Sequence, residues 1–283
     1  MAKGLFFGVL DKANRVKKKY YGVEDKARKV KKVYFGVDGK ARLAWISSVP
    51  AGQIVFTSSQ VWTVPEGISV IDVFCVGAGG ESGTPRDGGG SGGGGGGYTT
   101  TKLNQSVTSG TQLTITVASS YGVSSVGSIA TANSGGYGTG GFATNGTSYG
   151  RGGDGGSGGS SSGGGSSPGS GAFYKAGSDG GNGNAEYNYP AINGIGQGTT
   201  TRAFGESNGT LYAGGGGGSA RVYDTIPTNG GTGGGGNGGN WSNFRATSGT
   251  PNTGGGGGGL SSYYDTPRAI GGSGVVIVRW KEQ

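Results

Sequence analysis

Residues 88–97 read Gly-Gly-Gly-Ser-Gly-Gly-Gly-Gly-Gly-Gly, one of several glycine runs in a chain of 283 residues that contains 73 glycines. Further pure runs and mixed tracts lie at 214–218, 233–236, 254–259, 150–165 and 177–183. They lack the Gly-X-Y period of collagen. Pure glycine can instead adopt the polyproline-II conformation, with three residues per turn and a rise of ~3.1 Å, so residues 88–97 would span roughly 30 Å.

A single polyproline-II helix has no internal hydrogen bonds, so a glycine run needs neighbours to satisfy its backbone. Several such helices side by side can exchange N–H···O=C bonds, and the close approach of their axes tolerates only glycine. A flexible linker would not need pure runs that recur. We therefore predict a lattice of polyglycine-II helices. A valine at Gly94 or Gly256 should destabilise it strongly, whereas a valine at Ser91 should have a mild effect.

Segments with the composition of β-strands bracket the glycine runs. The alternation of apolar and polar residues predicts strands at 54–57, 61–64, 68–76, 98–103, 112–118 and 274–280. An apolar fraction of 31% is typical of disordered chains, but strong strands at both ends of the glycine-rich region argue against disorder. The predicted fold class is all-β, with a small β-hairpin repeat head followed by a β-sheet plus polyglycine-II helix lattice.

The charge of the chain is concentrated in a basic head. Residues 1–45 contain 13 Lys and Arg against 4 Asp and Glu, whereas the rest of the chain is close to neutral. This shift predicts two domains, an attachment or oligomerisation head at 1–48 and a glycine-rich domain at 49–283. The head contains three copies of a 14-residue unit, which begin Phe7-Gly8-Val9, Tyr21-Gly22-Val23 and Phe35-Gly36-Val37.

Each repeat continues through a turn-forming pair, such as Asp38-Gly39, into a basic run, which predicts strand–turn–strand units. A helix from Asp25 to Tyr34 is the alternative. The lysines predicted to serve attachment are Lys17, Lys18, Lys19, Lys31 and Lys32. They could form a solvated charged face, which includes docking on an acidic partner protein, or bind nucleic acid. We favour the first interpretation.

The residue types limit the chemistry that the chain can perform. Histidine is absent and Cys75 is the single cysteine, which excludes a Ser-His-Asp triad, a Cys-His pair and a His-ligated zinc site. Cys75 lies in an apolar run and is predicted to be a buried small hydrophobe. We expect no enzyme activity, no cofactor and no metal site. The first residues lack the apolar core of a signal peptide, and no run is long enough to cross a bilayer.

Aromatic and polar segments separate the glycine runs. The aromatic residues predicted to contact a receptor are Phe173, Tyr174, Tyr187, Tyr189, Trp241, Phe244, Tyr263 and Tyr264. Loops held by a rigid scaffold commonly carry binding residues, and Tyr, Trp, Ser, Gly and Asn are frequent on recognition surfaces. The alternative is that these aromatic residues only cap the lattice.

Residues 56–65, which read Phe-Thr-Ser-Ser-Gln-Val-Trp-Thr-Val-Pro, and residues 73–80 resemble the opening of glycine-rich domains in structural proteins of tailed phages and prophages. Residues 271–280 resemble their closing strand, and the head repeats resemble N-terminal repeats of such proteins. Phage adhesins of the tail-fibre-tip type are similar in using a polyglycine-II sandwich with receptor-contacting loops at its distal end. The repeat head is unlike the attachment domain of those adhesins.

The resemblance implies a virion protein that is assembled in the host cytoplasm and released by lysis. Its head would bind other tail proteins, and its body would bind a bacterial surface protein or glycan without catalysis. Both a homotrimer and a cap on a trimeric fibre stay open. The alternatives are a purely structural virion or filament component and a disordered glycine-rich nucleic-acid-binding protein. The last alternative predicts repeated Arg-Gly-Gly, yet Arg-Gly-Gly occurs once, at 151–153, which argues against nucleic acid. Without a long apolar run we expect no membrane insertion.

Overall fold

The computed structural model describes residues 6–9, 12–15, 19–23, 26–30, 32–37, 40–46, 48–84, 91–138, 201–219, 229–239, 245–260 and 268–283. It is all-β, and helical structure in the described part is limited to a short 3-10 turn at Ala203–Gly205. The described residues form no helix with the length and apolar composition of a membrane span.

Antiparallel hairpins make up the described part of the head. Their strands are β1 (Phe6–Val9), β2 (Lys12–Arg15), β3 (Lys19–Val23), β4 (Lys26–Val30), β5 (Lys32–Val37) and β6 (Lys40–Ile46). In each hairpin a valine pairs with a lysine across two intervening residues, the spacing of a tight hairpin loop. The prediction of strand–turn–strand repeats is confirmed. The alternative helix from Asp25 to Tyr34 is wrong because β4 and β5 occupy that span.

The body contains two four-stranded antiparallel sheets. Their strands are β7 (Gly52–Phe56), β8 (Gln60–Thr63), β9 (Val70–Val76), β10 (Thr99–Ser106), β11 (Gln112–Thr116), β12 (Ser124–Val126), β13 (Ala130–Ala132) and β14 (Val275–Trp280). The first sheet has the order β10-β9-β14-β7, and the second has the order β13-β12-β11-β8. The closing strand of the chain is therefore a central strand of the first sheet.

Burial on both faces explains the continuous apolar sequence of β9. Val73 and Cys75 point into an apolar core that also contains Phe56, Trp62 and Ile115 from the two sheets. The alternate residues of β9 and β14 face a second core on the other side of the first sheet, where the cluster is Phe74, Val76, Phe204, Ala213, Val275 and Ile277. Because both faces are covered, the strand shows no apolar–polar alternation.

Six of the body strands were predictable from composition, and the structure confirms them to within a few residues at their ends. Sequence analysis missed β12 and β13, which have three residues each and read Ser-Ser-Val and Ala-Thr-Ala. Such short segments are recognisable as strands only through their partners, since β12 pairs with both β11 and β13.

Glycine-rich extended segments pack side by side next to the first sheet, and we call them the glycine bundle. They comprise residues 77–83, 91–98, 133–138, 213–219, 229–239, 245–250, 254–260 and 268–274. Several continue directly from strands, as 77–83 does from β9 and 268–274 does into β14. The mixed glycine tracts predicted at 150–165 and 177–183 lie outside the described residues.

The hydrogen bonds of the glycine bundle repeat every three residues. Segment 77–83 donates to segment 91–98 through Gly77, Gly80 and Gly83, whose acceptors are Tyr98, Gly95 and Gly92 at 2.9, 2.8 and 3.0 Å. The residues between them bond to other segments, since Gly79 donates to Gly272 and Ser82 donates to Ala269. In a polyproline-II helix every third residue points in the same direction, so successive residues hydrogen-bond to different neighbouring helices. The observed pattern has this three-fold symmetry.

Segment 254–260 is the central helix of the bundle. Its backbone exchanges hydrogen bonds with six other segments, which are 77–83, 91–98, 213–219, 229–239, 245–250 and 268–274. With segment 91–98 alone it accepts three bonds, from Ser91, Gly94 and Gly97, at 2.8, 2.7 and 2.8 Å. The predicted polyglycine-II lattice is thus confirmed in the described residues.

Steric limits explain why these runs are glycine. A Cβ built on Gly256 would overlap the carbonyl oxygen of Gly94, and one built on Gly94 would overlap the carbonyl oxygen of Gly80. A Cβ on Gly258 would meet the backbone of Asn237 in the same way. The obstacles are backbone atoms of other helices, which cannot move aside as the end of a side chain can. A single added methyl group must therefore displace a helix.

Two details differ from the expectations. Gly233 and Gly234 have φ values of 101° and 96°, so this part of run 233–236 forms a turn that only glycine adopts readily. Ser91 is fully buried and its hydroxyl accepts the N–H of Leu260 at 2.7 Å. The expectation of a mild valine substitution at Ser91 is therefore wrong, because valine would leave that buried N–H without its side-chain acceptor.

We expect alanine at Gly256 or Gly94 to lower the free energy of unfolding by ~3 kcal/mol or more, because overpacking here is against rigid backbone. Alanine at Gly122 is the matched control. Its Cβ would lie 3.3 Å from the Cβ of Ala118, a tight contact between side chains. Denaturant unfolding of the three variants tests this, and similar losses at all three positions would contradict the steric account of the bundle.

Candidate functional site

The aromatic residues predicted to bind a receptor lie outside the described residues. Phe173, Tyr174, Tyr187 and Tyr189 fall within 139–200, Trp241 and Phe244 within 240–244, and Tyr263 and Tyr264 within 261–267. Of the predicted attachment lysines, Lys19 begins β3 and Lys32 begins β5. Lys17, Lys18 and Lys31 lie outside the described part of the head.

The chain enters the body at the end of the first sheet that is remote from the glycine bundle. The first residue of β14, Val275, pairs with Val76 where the bundle begins, whereas Trp280 at the other end pairs with Gly52. Beyond Trp280, the backbone of Gln283 exchanges hydrogen bonds of 2.8 and 3.1 Å with Val49. We call this end of the body, which carries residues 48–52 and 280–283, the base.

The opposite end of the body is the free end of the glycine bundle, which we call the tip. Its residues are identified by the last hydrogen bonds between segments, from Ser91 to Leu260, from Ser219 to Ser91 and from Gly239 to Gly259. Residues 239 and 245, which flank the interval 240–244, both lie at this end. So do 260 and 268, which flank 261–267. The base and the tip are therefore opposite ends of the described body.

Residues with side chains follow the glycine runs at the tip. Ser82, Ser91, Ser219 and Leu260 are all buried there. The hydroxyls of Ser82 and Ser219 have no hydrogen-bond partner within the described part of the chain. The strict requirement for glycine thus ends at this layer, and the tip is where the bundle can begin to carry side chains.

A cluster of four side chains lies on the flank of the bundle near the tip, and we call it the tyrosine cluster. It consists of Tyr121, Tyr137, Glu81 and Arg268. The Tyr121 and Tyr137 rings stack with centroids 4.4 Å apart and an interplanar angle of 23°. Arg268 Nη1 lies 3.6 Å from Oε2 of Glu81, and the Glu81 carboxylate is close enough to the Tyr137 phenol to raise its pKa. More than half of Tyr137 is exposed, at 54%.

The backbone angle of Tyr121 and the pKa of Tyr137 both differ from ordinary values. Tyr121 has a φ of 49°, a left-handed conformation that costs an aromatic residue on the order of 1–2 kcal/mol. Desolvation and the Glu81 carboxylate raise the pKa of Tyr137, and Arg268 opposes this shift.

A second set of charged residues, centred on Arg279, connects elements of the first sheet. Arg279 Nε lies 3.1 Å from Oδ2 of the buried Asp72, and its Nη1 lies 2.8 Å from Oε1 of Glu206. Its guanidinium carbon lies 3.8 Å from the centre of the Phe204 ring. Asp72 also accepts the N–H of Asn104 at 2.7 Å. Arg279 therefore links β14, β9 and the 3-10 turn, and Asp72 links β9 to β10.

The expectations for the cysteine and for a metal site can be compared with the described residues. Cys75 is fully buried, and desolvation raises the pKa of its thiol to about 12. The prediction of a buried small hydrophobe at Cys75 is confirmed. Within the described ranges, no three His, Cys, Asp or Glu side chains are grouped so that they could hold a metal ion.

Sequence analysis did not identify the tyrosine cluster. Tyr121 and Tyr137 are single aromatic residues, within Ser-Ser-Tyr-Gly and Gly-Gly-Tyr-Gly, and their partners Glu81 and Arg268 are far away in sequence. One feature of the sequence could have pointed to the cluster. Tyr137 is an aromatic residue in a glycine-rich segment, where the bundle has room for few side chains. Knowledge of which glycine segments are neighbours is needed to bring the four residues together.

We expect the Arg279→Met variant to lose about 2 kcal/mol of unfolding free energy, because it leaves the buried Asp72 carboxylate without its cation. The figure allows for the partial exposure of Arg279. Arg268→Met is the control, since Arg268 is 55% exposed and its ion pair should be worth well under ~1 kcal/mol. Denaturant unfolding measures both, and equal losses would mean that the Arg279 network does not stabilise the sheet.

The chain matches a known family of protein domains. The model of a family described as a glycine-rich domain matches residues 55–281, from within β7 to just beyond β14. No curated protein matches the chain. The matched region contains both sheets, the glycine bundle and the tyrosine cluster, and it covers most of the chain. The chain belongs to this family of glycine-rich domains.

Proposed function

We propose that the protein is a phage or prophage tail or fibre adhesin that binds a bacterial surface receptor without catalysis. The observation that carries this proposal is the opposite placement of the base and the tip. The basic head joins the body at the base, where Val49 pairs with Gln283. The intervals that contain several predicted receptor-binding residues are bounded by residues at the tip. Attachment and recognition would then lie at opposite ends of one body.

Chain connectivity ties four of the predicted residues to the tip. Trp241 follows Gly239 by two residues, and Phe244 immediately precedes Arg245. Tyr263 and Tyr264 lie within the seven-residue interval between Leu260 and Arg268. The described residues that flank these four in sequence, 239, 245, 260 and 268, lie at the tip. Aromatic side chains beside a rigid scaffold are favourable anchors for binding because little entropy is lost on ordering them.

The assignment to phages rests on the resemblance of residues 56–65, 73–80 and 271–280 to glycine-rich tail proteins. A purely structural virion or filament component is the competing function, because a bundle of mutually bonded helices would also provide stiffness. The disordered nucleic-acid-binding alternative has no support in the described body, which is ordered in two sheets and a bundle.

The adhesin proposal predicts that Trp241→Ala or Tyr264→Ala lowers adsorption to host cells by at least ~30-fold, since truncating a hot-spot residue costs ~2 kcal/mol or more. The melting temperature should change little. Tyr98→Ala is the control, because Tyr98 is a partly exposed aromatic residue that lies next to β10, at the sheet end of the bundle. Normal adsorption of both tip variants would favour the structural component, and a large loss of stability would mean that these residues cap the bundle.

The head should serve attachment to other tail proteins. We expect deletion of residues 1–46 to leave a folded body, because the cut preserves the pairing of Val49 with Gln283, but to prevent incorporation into virions. The full-length variant Lys17→Glu/Lys18→Glu/Lys19→Glu should weaken incorporation if the partner is acidic. Co-purification with virions and circular dichroism measure the two effects. Normal incorporation of both variants would exclude an attachment role for the head.

A further inference from the structure

We propose that the tyrosine cluster binds a pyranose ring of a surface glycan, with the sugar packed on the free face of Tyr137. This proposal deepens the proposed function, since it names the ligand class and a contact site, and it rests on that function for its biological setting. The site consists entirely of described residues, and it is separate from the aromatic residues of intervals 240–244 and 261–267.

Tyr137 presents a flat apolar surface to solvent. Tyr121 covers one of its faces at a centroid distance of 4.4 Å, yet 54% of the residue is exposed. The other ring face is therefore open. A pyranose ring has one face made largely of C–H groups, and these pack on the electron-rich face of an aromatic ring. The stacking of Tyr121 behind Tyr137 holds the ring in one orientation.

The strained backbone of Tyr121 has no explanation in the packing of the fold. Its φ of 49° places a bulky side chain in a region that glycine favours, and Tyr121 belongs to neither apolar core. Its one ring contact within the described residues is the stack with Tyr137. Backbone strain in a half-buried residue outside the apolar cores is a feature of many functional sites, and here it positions the ring that supports Tyr137.

The polar edge of the site suits paired sugar hydroxyls. Glu81 offers a carboxylate with two acceptor oxygens, and Arg268 offers a planar set of donors. Their closest approach of 3.6 Å is longer than a good hydrogen bond, and the Arg268 side chain is 55% exposed. Arg268 therefore keeps hydrogen-bonding capacity for a ligand that lies across Tyr137, whereas the Glu81 side chain, at 15% exposure, offers only an edge of its carboxylate. Vicinal hydroxyls on a sugar can donate to the carboxylate and accept from the guanidinium.

The surroundings favour a glycan over a protein partner. A stable protein interface buries roughly 800 Å² on each side and is anchored by several apolar side chains. Among the described residues the flank of the bundle is mostly glycine backbone, and the tyrosine cluster forms a small platform there, with Val123 and Ile270 as nearby exposed apolar residues in the sequence. Such a platform matches one or two sugar rings. Its place beside the tip, where Gly138 donates to the Glu81 carbonyl, puts it at the end proposed to meet the cell surface.

The test is binding of the full-length protein to an array of bacterial lipopolysaccharide and capsule glycans, followed by affinity measurement on the glycans it retains. We expect Tyr137→Ala to weaken binding at least ~10-fold and Tyr137→Phe to stay within ~3-fold of the wild type, since phenylalanine keeps the ring face. Tyr121→Gly relieves the backbone strain and removes the supporting ring, so it should weaken binding without lowering the melting temperature. Tyr98→Ala is the control and should bind normally.

The outcomes separate this site from the proposed function. Retention of no glycan by the wild type overturns the sugar site, while the adsorption of the Trp241 and Tyr264 variants still decides the adhesin proposal. Glycan binding that survives both Tyr137→Ala and Tyr121→Gly also overturns it. If Tyr137→Ala unfolds the protein, the other two variants still test the site. Near-normal binding by Tyr137→Phe together with weakened binding by Tyr121→Gly supports it, and normal binding by Tyr121→Gly overturns it. A cluster that recognises a protein instead would bind no glycan, and its tyrosine variants would lose adsorption to cells stripped of surface polysaccharide.

Discussion

A polyglycine helix has only its backbone amides and carbonyls with which to hold its neighbours, and this requirement sets the rest of the structure. The N–H and C=O groups of one helix find partners only in other helices, so no helix can form alone. Segment 254–260 meets this requirement by bonding to six surrounding segments. The axes must approach closely for these bonds to form, which excludes a Cβ at positions such as Gly256. The need for hydrogen bonds between closely spaced helices therefore explains both the high glycine content and the packing of the bundle.

The bundle contributes few apolar side chains, so the two sheets and the core between them, which we call the sandwich, supply most of the apolar burial. The two sheets bury residues such as Trp62, Ile71 and Val278, and β9 and β14 continue directly into bundle segments. The second apolar core, around Phe74 and Phe204, covers the other face of the first sheet. The sheet fixes where the glycine helices start and which helices are neighbours. The stability of the bundle is therefore coupled to that of the sandwich.

The sequence was sufficient to predict what depends on local patterns. Runs of pure glycine predicted the polyglycine-II conformation, apolar runs predicted the longer strands, and the 14-residue period predicted the hairpins. It was insufficient where a property depends on distant partners. Strand β12 is recognisable only beside β11, and the burial of Ser91 depends on Leu260, 169 residues away. The same limit concealed the tyrosine cluster, whose four residues come from separate segments.

This dependence on distant partners also bears on where specificity can evolve in such a protein. Substitutions inside the bundle meet the backbone of another helix, so the interior offers few positions at which a side chain can change. Side chains are present at the tip, where Ser82, Ser219 and Leu260 are accommodated, and on the flank, where Tyr121 and Tyr137 stack. Phe204 and Ala213 also have a left-handed backbone, but both are buried in the second apolar core, whereas Tyr121 belongs to neither core. Core packing can offset the conformational cost at Phe204 and Ala213. At Tyr121 the stack with Tyr137 takes that place, which is why the proposed glycan site accounts for the backbone there.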